Sequence, residues 1–568
     1  MNESTNNNSV AALKPGYAKR TQNILPVVIL SLAGLNVIFQ VLWFWPFVRK
    51  NINYDAVSYI GISRHLLDGH FRESLHGYWS PFISWLIAAV SFFIHNLTLA
   101  GHVATILSFL LCLPLLYLFT LRLWKSPTLA ALAVLWFTLS RDTTALSVFF
   151  IGADFLFSAC VLLYFILLLG CLRHPSSRNW LLLGLAQGVA FLAKAFAMPW
   201  LTISTLVAVF FSNYRNIKKG FVHTALAMMI PFIVWCGWAS ALHIKYGVFT
   251  AGYQSKWNLL DPTTRNNDQH AGLSFLLDTS RSYDAYNVVD TMFPGSPAWQ
   301  QHVILKTTIP IVLTKTRHNL PEAAKQILVL LTPGGIIALI LTLLAVRSCL
   351  SHPESQLICV AVLNTVSLMI GYSMLVFDRR YVLPLIPILI AISVPFVLPP
   401  ANIRNSGKVF RIARICAGSL LIFGLIFFQF YWASPFRTLR RDYQTSAYDG
   451  AATLRRLPSC SRLAAIGEGP FPEHGVGWEE EIYASYFSGC RIVAFVDHLP
   501  SDSELNDLEM DLNKVHPNGI LIFRGKNDRS YELLLERFKK ADSNILSKTI
   551  SDPALGEVGQ VLWNIKQF

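Results

Sequence analysis

Residues 79–96, WSPFISWLIAAVSFFIHN, decide how this chain is threaded. As a helix they would just reach across a hydrocarbon core of about 30 Å, so length alone does not say whether they cross it. The rest of the chain belongs in a bilayer. Of its 568 residues 53 % are hydrophobic and 14 % charged, with mean hydropathy +0.44, where soluble proteins carry about 25 % charged residues. Apolar runs long enough to span lie near 24–47, 98–121, 127–149, 154–172, 180–198, 200–213, 221–243, 325–347, 356–377, 382–400 and 411–433, about eleven in all. If 79–96 stays on one side, the loops holding Arg122 and Lys125, Arg173 and Arg178, Arg215, Lys218 and Lys219, and Arg404, Lys408, Arg411 and Arg414 share a side with Lys14, Lys19 and Arg20. If it crosses, every one of those loops faces away from the N-terminus. Cytoplasmic loops gather Lys and Arg, so the charges favour a helix lying in or dipping into the outer leaflet. The same bias accounts for the net charge of +14 without a nucleic-acid partner.

This threading predicts an α-helical polytopic protein of the cell membrane, a bacterial inner membrane being the natural setting. A cytoplasmic tail occupies 1–23. A membrane domain runs over 24–435 with external loops at 48–97 and 244–323. A small external, periplasmic α/β domain occupies 436–568. In that last segment RLAAIG, RIVAFV, GILIFRG and GQVLWNIK read as strands, and WEEEIYASYF, DSELNDLEMDLNKV and SYELLLERFKKA as helices, which implies a largely parallel sheet. Cys460 and Cys490 are its two cysteines, and spacing alone leaves their pairing open.

Charged side chains at membrane depth or at its edge are costly and point to function. Upstream of 79–96 lies NINYDAVSYIGISRHLLDGHF, residues 51–71, a boundary helix that sets Asp55, Tyr59 and Ile62 on one face and Arg64 and Asp68 on another. The predicted threading brings Asp55, Asp154 (GADFLFSAC), Lys194 (FLAKAFAMPW) and the Asp378-Arg379-Arg380-Tyr381 cluster to the same external face. Two carboxylates there suit a general base, a divalent-metal site, or both, with helix capping as the plain alternative. Lys194 and Arg380 suit a lipid phosphate, against simple anchoring at the headgroups. Arg64 and Arg141 are weaker phosphate candidates. Phosphate-loop, serine-hydrolase and zinc-protease signatures do not occur.

In order, YDAVSYIGISRHLLDGHF followed by GYWSPFISWLIAAV, then GADFLFSACVLLYFILLLG, LAKAFAMPWL and RRYVLPLIPIL, resemble the motifs of the GT-C membrane glycosyltransferases, the group of protein O-mannosyltransferases, lipid A aminoarabinose transferases and lipopolysaccharide-core transferases. The likeness covers about the first 400 residues. Ala56 stands where the family often has a second acid, Ala153 where it has proline, and Ala195 where it has glycine. The resemblance implies a polyprenyl-phosphate-linked sugar donor, an envelope glycan, lipid or protein acceptor, and inverting transfer. It also implies Asp55 as the base, Asp154 as a second carboxylate that orients the acceptor or joins Asp55 on a divalent ion, and Lys194, Arg380, Tyr381 and Arg64 about the lipid phosphate. The rival readings are a flippase or transporter for a lipid-linked glycan, a glycan ligase, and a non-catalytic scaffold.

Overall fold

The computed structural model describes residues 15–48, 52–140, 143–213, 216–255, 305–346, 352–375, 377–396, 408–431, 462–467, 486, 488–496, 505–523, 528–541, 546–552 and 556–563. Most are helical. Helix α1 covers Pro15–Val48, α2 Tyr54–Leu67, α3 Phe71–Ser74, α4 Phe82–Ser91, α5 Leu97–Trp124, α6 Pro127–Leu139, α7 Thr143–Phe149, α8 Asp154–Arg173, α9 Ser177–Ala193, α10 Ala197–Asn213 and α11 Ile217–Tyr246. After a gap come α12 Leu305–Val346, α13 Pro353–Met374, a 3-10 turn at Arg379–Val382, α14 Ile386–Ser393 and α15 Lys408–Tyr431. Among the described residues, six helices are long and apolar enough to cross a membrane.

Helix α4, the heart of 79–96, is ten residues long. That is about 15 Å, half the hydrocarbon thickness. Phe92 and Phe93 leave its end almost fully exposed, as a helix ending in lipid would. Helix α8 is the axis of the bundle. It packs against α5 and α9, and 83 % of its apolar window is inside protein, compared with 22 % for α1 and α11 at the rim. Without a hydrophobic drive between helices in lipid, packing and polar contacts hold such a bundle. Tyr164 on α8 shares a 2.8 Å hydrogen bond with Thr205 on α10, Gln187 on α9 donates to Thr202 at 2.8 Å, and the Trp200 indole donates to the Asn364 carbonyl on α13 at 2.9 Å. At the end of the bundle away from α2, Arg173 binds Glu354 at 2.6 Å and donates to the Arg122 carbonyl at 2.8 Å, tying three elements together.

Two expectations are corrected. The run 127–149 is two helices rather than one, because Ser140 leaves the helix at ψ 138 and turns its hydroxyl back to the Trp136 carbonyl. Helix α1 begins at Pro15, with its span-length apolar part at Ile24–Pro46, where the first span was expected. The loop expected to reach 323 is already helical from Leu305, and α12 runs 42 residues to Val346. It is broken at Thr332, which stands at φ 64, ψ 161 before Pro333.

Five strands form one sheet in the C-terminal segment: β1 Arg462–Ile466, β2 Arg491–Val496, β3 Gly519–Phe523, β4 Leu546–Asp552 and β5 Gly556–Trp563, in spatial order β2-β1-β3-β5-β4. The first three pair in parallel, but β5 runs antiparallel to β3 and to β4, so the sheet is mixed rather than largely parallel. Strand β4, LSKTISD, escapes a reading by hydrophobic pattern because it is a polar edge strand that needs only β5 as a partner. Helices α16 Leu505–Val515 and α17 Asp528–Ala541 send Leu508, Leu512, Leu534 and Phe538 into the core against β1 and β3. The tyrosine hydroxyl of Tyr486, just before β2, lies 2.6 Å from that of Thr98 at the start of α5. Cys460 and Arg141 lie outside the described residues, as does most of WEEEIYASYF.

Candidate active site

Helices α2 and α8 begin, and α9 ends, at one place. Asp55 is in the first turn of α2 and Asp154 in the first turn of α8, where the helix dipole favours negative charge. Neither caps its helix through its side chain: the residues at the cap positions are Asn53 and Ala153. Asn53 instead bonds both ways to Ile151, donating to its carbonyl at 3.0 Å and accepting from its N–H at 2.9 Å. That reciprocal pair locks the start of α2 to the approach of α8, and so fixes one carboxylate against the other. Lys194 is the first residue past α9, a position where a cation is favoured. Its neighbour Ala195 donates its N–H to the Ser80 hydroxyl at 3.1 Å, which pins the GYWSP loop to the lysine turn.

Arg380 joins these parts. Its guanidinium forms an ion pair with Asp55, lies 3.9 Å from Asp154, and binds Asp378 through Nε at 2.8 Å. Lys194 Nζ binds Asp154 Oδ1 at 2.5 Å. The side chains of Asp55, Asp154 and Arg380 are each less than a tenth exposed, so these charges meet largely out of water. Phe150 stacks on the guanidinium at 4.1 Å, and Tyr381 lies under Lys194 Nζ at 4.6 Å. Tyr381 stacks on Tyr372 at 4.5 Å, and Tyr372 on Phe196 at 4.4 Å, so a three-ring pile supports the lysine from the side. Burial pushes the Asp55 carboxyl above its usual range despite the arginine beside it. Burial also opposes ionisation of Asp378, but Arg380 outweighs it with its charge and hydrogen bonds and holds that carboxyl below its usual range.

Asp55, Asp154, Lys194, Arg380 and Tyr381 thus line one cleft with Tyr59, Tyr78, Trp79, Ser80 and Gln254. Arg64 is not among them. It sits nine positions after Asp55, half a turn round α2, and its side chain is exposed on the opposite face. Tyr78, Trp79, Ser80, Tyr372 and Gln254 carry no charge, and only the proline-containing GYWSP stretch marked three of them in the sequence. Asp55 faces Arg380 and Asp154 faces Lys194, and among the described residues no group of three or more His, Cys, Asp or Glu is placed to hold a metal ion. The cluster can take a proton at Asp55 and offer fixed positive charge at Arg380 and Lys194.

Comparison with known proteins follows the same geography. The family of dolichyl-phosphate-mannose-protein mannosyltransferases matches residues 78–238. The undecaprenyl phosphate-α-4-amino-4-deoxy-L-arabinose arabinosyl transferase of Pseudomonas paraeruginosa is 30 % identical over 208 residues, 34 % of this chain and 36 % of that protein. The enzyme of the same name from Pectobacterium carotovorum is 28 % identical over 231 residues, 37 % of this chain and 39 % of its own length. The alignments therefore span little more than a third of these curated relatives. Likeness of fold reaches further. The crystal structure of ArnT from Cupriavidus metallidurans in the apo state superposes with TM-score 0.52 at 11 % identity, covering 94 % of this chain and 97 % of that one. The Archaeoglobus fulgidus oligosaccharyltransferase gives TM-score 0.54 at 12 % identity, covering 88 % and 69 %. The match over residues 78–238 shows that this part of the chain is similar to the dolichyl-phosphate-mannose-protein mannosyltransferases, and the two superpositions show that the fold of these membrane proteins is shared over nearly the whole length.

Proposed function

We propose that this protein transfers a glycosyl unit from a polyprenyl-phosphate donor to a hydroxyl of an envelope lipid, glycan or protein, with inversion at the anomeric carbon. The observation that carries this reading is Arg380 standing between Asp55 and Asp154 with Lys194 alongside, a proton acceptor and two cations in one buried cleft. Asp55 takes the proton of the acceptor hydroxyl as its oxygen bonds to the anomeric carbon. The bond from that carbon to the phosphate oxygen breaks, and its electrons leave with the polyprenyl phosphate. Arg380 and Lys194 offset the charge gathering on the departing phosphate, and in a dry cleft such fixed charge is worth far more than in water. Asp154 holds Lys194 and orients the acceptor, while Tyr381 steadies the lysine. The relatives' names, with undecaprenyl phosphate or dolichyl phosphate as carrier, point to the same donor class. The cleft opens at the end of the bundle away from Arg122, Lys125, Arg173 and Arg178, and the positive-inside rule makes that the external face.

Full-length protein in liposomes, given a labelled polyprenyl-phosphate sugar and an envelope lipid extract, is expected to move label onto the acceptor, and a nucleotide sugar is expected not to serve. Equal transfer from a nucleotide sugar would refute the donor class. Passage of the lipid-linked sugar across the bilayer without transfer would favour a flippase.

A further inference from the structure

Beside the ionic cleft lies a second, larger cavity of about 210 Å³. Tyr78, Trp79, Ser80 and Gln254 line both. Phe191, Phe196, Trp235 and Trp238 make its lining strongly aromatic, and among the described residues lining it none is Asp, Glu, Lys or Arg. The segment carrying Gln254 is fixed in place. The Tyr253 N–H donates to the Gly77 carbonyl at 2.9 Å, its ring lies where any side chain at Gly77 would go, and Gly252 at φ 143 lets the two backbones meet. Gln254 itself is half-buried at the junction of the two cavities.

From this we infer that the aromatic cavity is the subsite for the transferred glycosyl unit, and that the unit it takes is an uncharged sugar rather than an amino sugar. The inference rests on the donor chemistry proposed above. A sugar bonded through its anomeric carbon to a phosphate at Lys194 and Arg380 must extend into an adjoining space, and this one opens from the same four residues. Rings face the apolar C–H side of a pyranose, while the Gln254 amide and Ser80 meet hydroxyls with a donor or an acceptor as needed. An isoprenoid tail would leave that amide without partners, at a cost. A primary ammonium brings three donors and a charge. Among the described residues it would enter a wall with no carboxylate, next to two cations, and the three described acids nearby are engaged by Arg380 and Lys194. Here the chain parts from relatives named for a 4-amino sugar. Sites built to hydrogen-bond hydroxyls discriminate strongly, because a poor fit strands their buried polar groups.

Binding needs no acceptor, so the test is direct. Three ligands sharing one polyprenyl chain are titrated into the full-length protein in detergent: a neutral-hexose phosphodiester, a 4-amino-4-deoxypentose phosphodiester and the sugar-free phosphate. Wild type is expected to bind the neutral donor more tightly than the amino donor. Gln254→Ala weakens the neutral donor by about fivefold, the worth of one neutral hydrogen bond, and leaves sugar-free phosphate within twofold. Gln254→Glu shifts preference towards the amino donor, which a merely structural role would not do. Equal or tighter binding of the amino donor by wild type overturns the choice of sugar. Loss of sugar-free phosphate binding in parallel with the neutral donor would assign the cavity to the lipid tail instead. If folded wild type binds none of the three, the donor reading itself falls, and this inference with it.

Discussion

Replacing Asp55 by Asn removes the proton acceptor and the negative charge that pairs with Arg380. The amide keeps the shape of the carboxylate and still offers an oxygen to Arg380, which retains Asp378 at 2.8 Å and Asp154 at 3.9 Å. The guanidinium is therefore not stranded, and the fold is expected to persist. Loss of a positioned general base costs about 10²- to 10⁴-fold in rate, equal to about 2.7–5.4 kcal/mol of barrier at 1.36 kcal/mol per decade. Burial lifts the Asp55 carboxyl above the usual range near 3.9, so it is a stronger base than a surface aspartate and picks up its proton at a higher pH. Only the ionised form can accept the acceptor's proton. The rate should hence fall as pH drops through that raised value, and the acid limb should lie above the ordinary carboxylate range. The assay is transfer of labelled sugar by liposome-reconstituted protein, as kcat/KM against pH, for wild type and Asp55→Asn at matched insertion. A variant within threefold of wild type, or one with the acid limb unchanged, would refute the assignment of Asp55 as the base.

Four further outcomes follow from the same geometry. Lys194→Ala leaves Asp154 facing Arg380 at 3.9 Å alone; breaking a buried pair in this way costs about 3–5 kcal/mol, seen as a lowered thermal midpoint, with weaker binding of polyprenyl phosphate besides. Arg64→Ala, on the exposed face of α2, should stay within about twofold of wild type in donor KM, the surface change being worth within about 0.5 kcal/mol. Gly77→Ala puts a methyl 2.4 Å from the Tyr253 ring, and should displace the Gln254 segment and raise donor KM more than it lowers expression. A cysteine placed at Ser126 should react with an impermeant reagent only from the face opposite Asp55; labelling from the Asp55 side would mean that the short helix at 82–91 crosses after all.

The ionic half of the site was legible because charge in lipid is expensive. Asp55, Asp154, Lys194 and Arg380 stood out against apolar surroundings, and the basic loops placed them all at one end. Arg64 was drawn in by the same reasoning and is exposed, since charge on an amphipathic helix does not say which face is buried. The neutral half was harder to see. Gln254 and Tyr372 are ordinary residues until the fold brings one to a cavity and the other under Tyr381. Residues 305–323 were read as part of a long loop, yet Pro310 and Pro321 lie within a helix. The break that does occur falls at Thr332, just before Pro333, inside an apolar run read as unbroken. Strand β4 was missed because a polar edge strand carries no apolar signal.

That break has a mechanical meaning. A threonine at φ 64 is an unfavourable conformer for a side-chain-bearing residue, costing roughly 1–3 kcal/mol, and surrounding packing must hold it there. Gly424 on α15 supplies the seat, since a methyl at that position would meet the Thr332 side chain at 2.9 Å. Gly334 lets α12 touch the α15 backbone at Ala417 and Leu421. Below the joint the helix is clamped to its neighbour; above it, the Asn319 amide donates to the Ser373 carbonyl, one residue after the Tyr372 whose ring supports Tyr381. The long helix thus has two arms that meet at Thr332, one seated against α15 and the other hydrogen-bonded beside the Tyr372–Tyr381 stack.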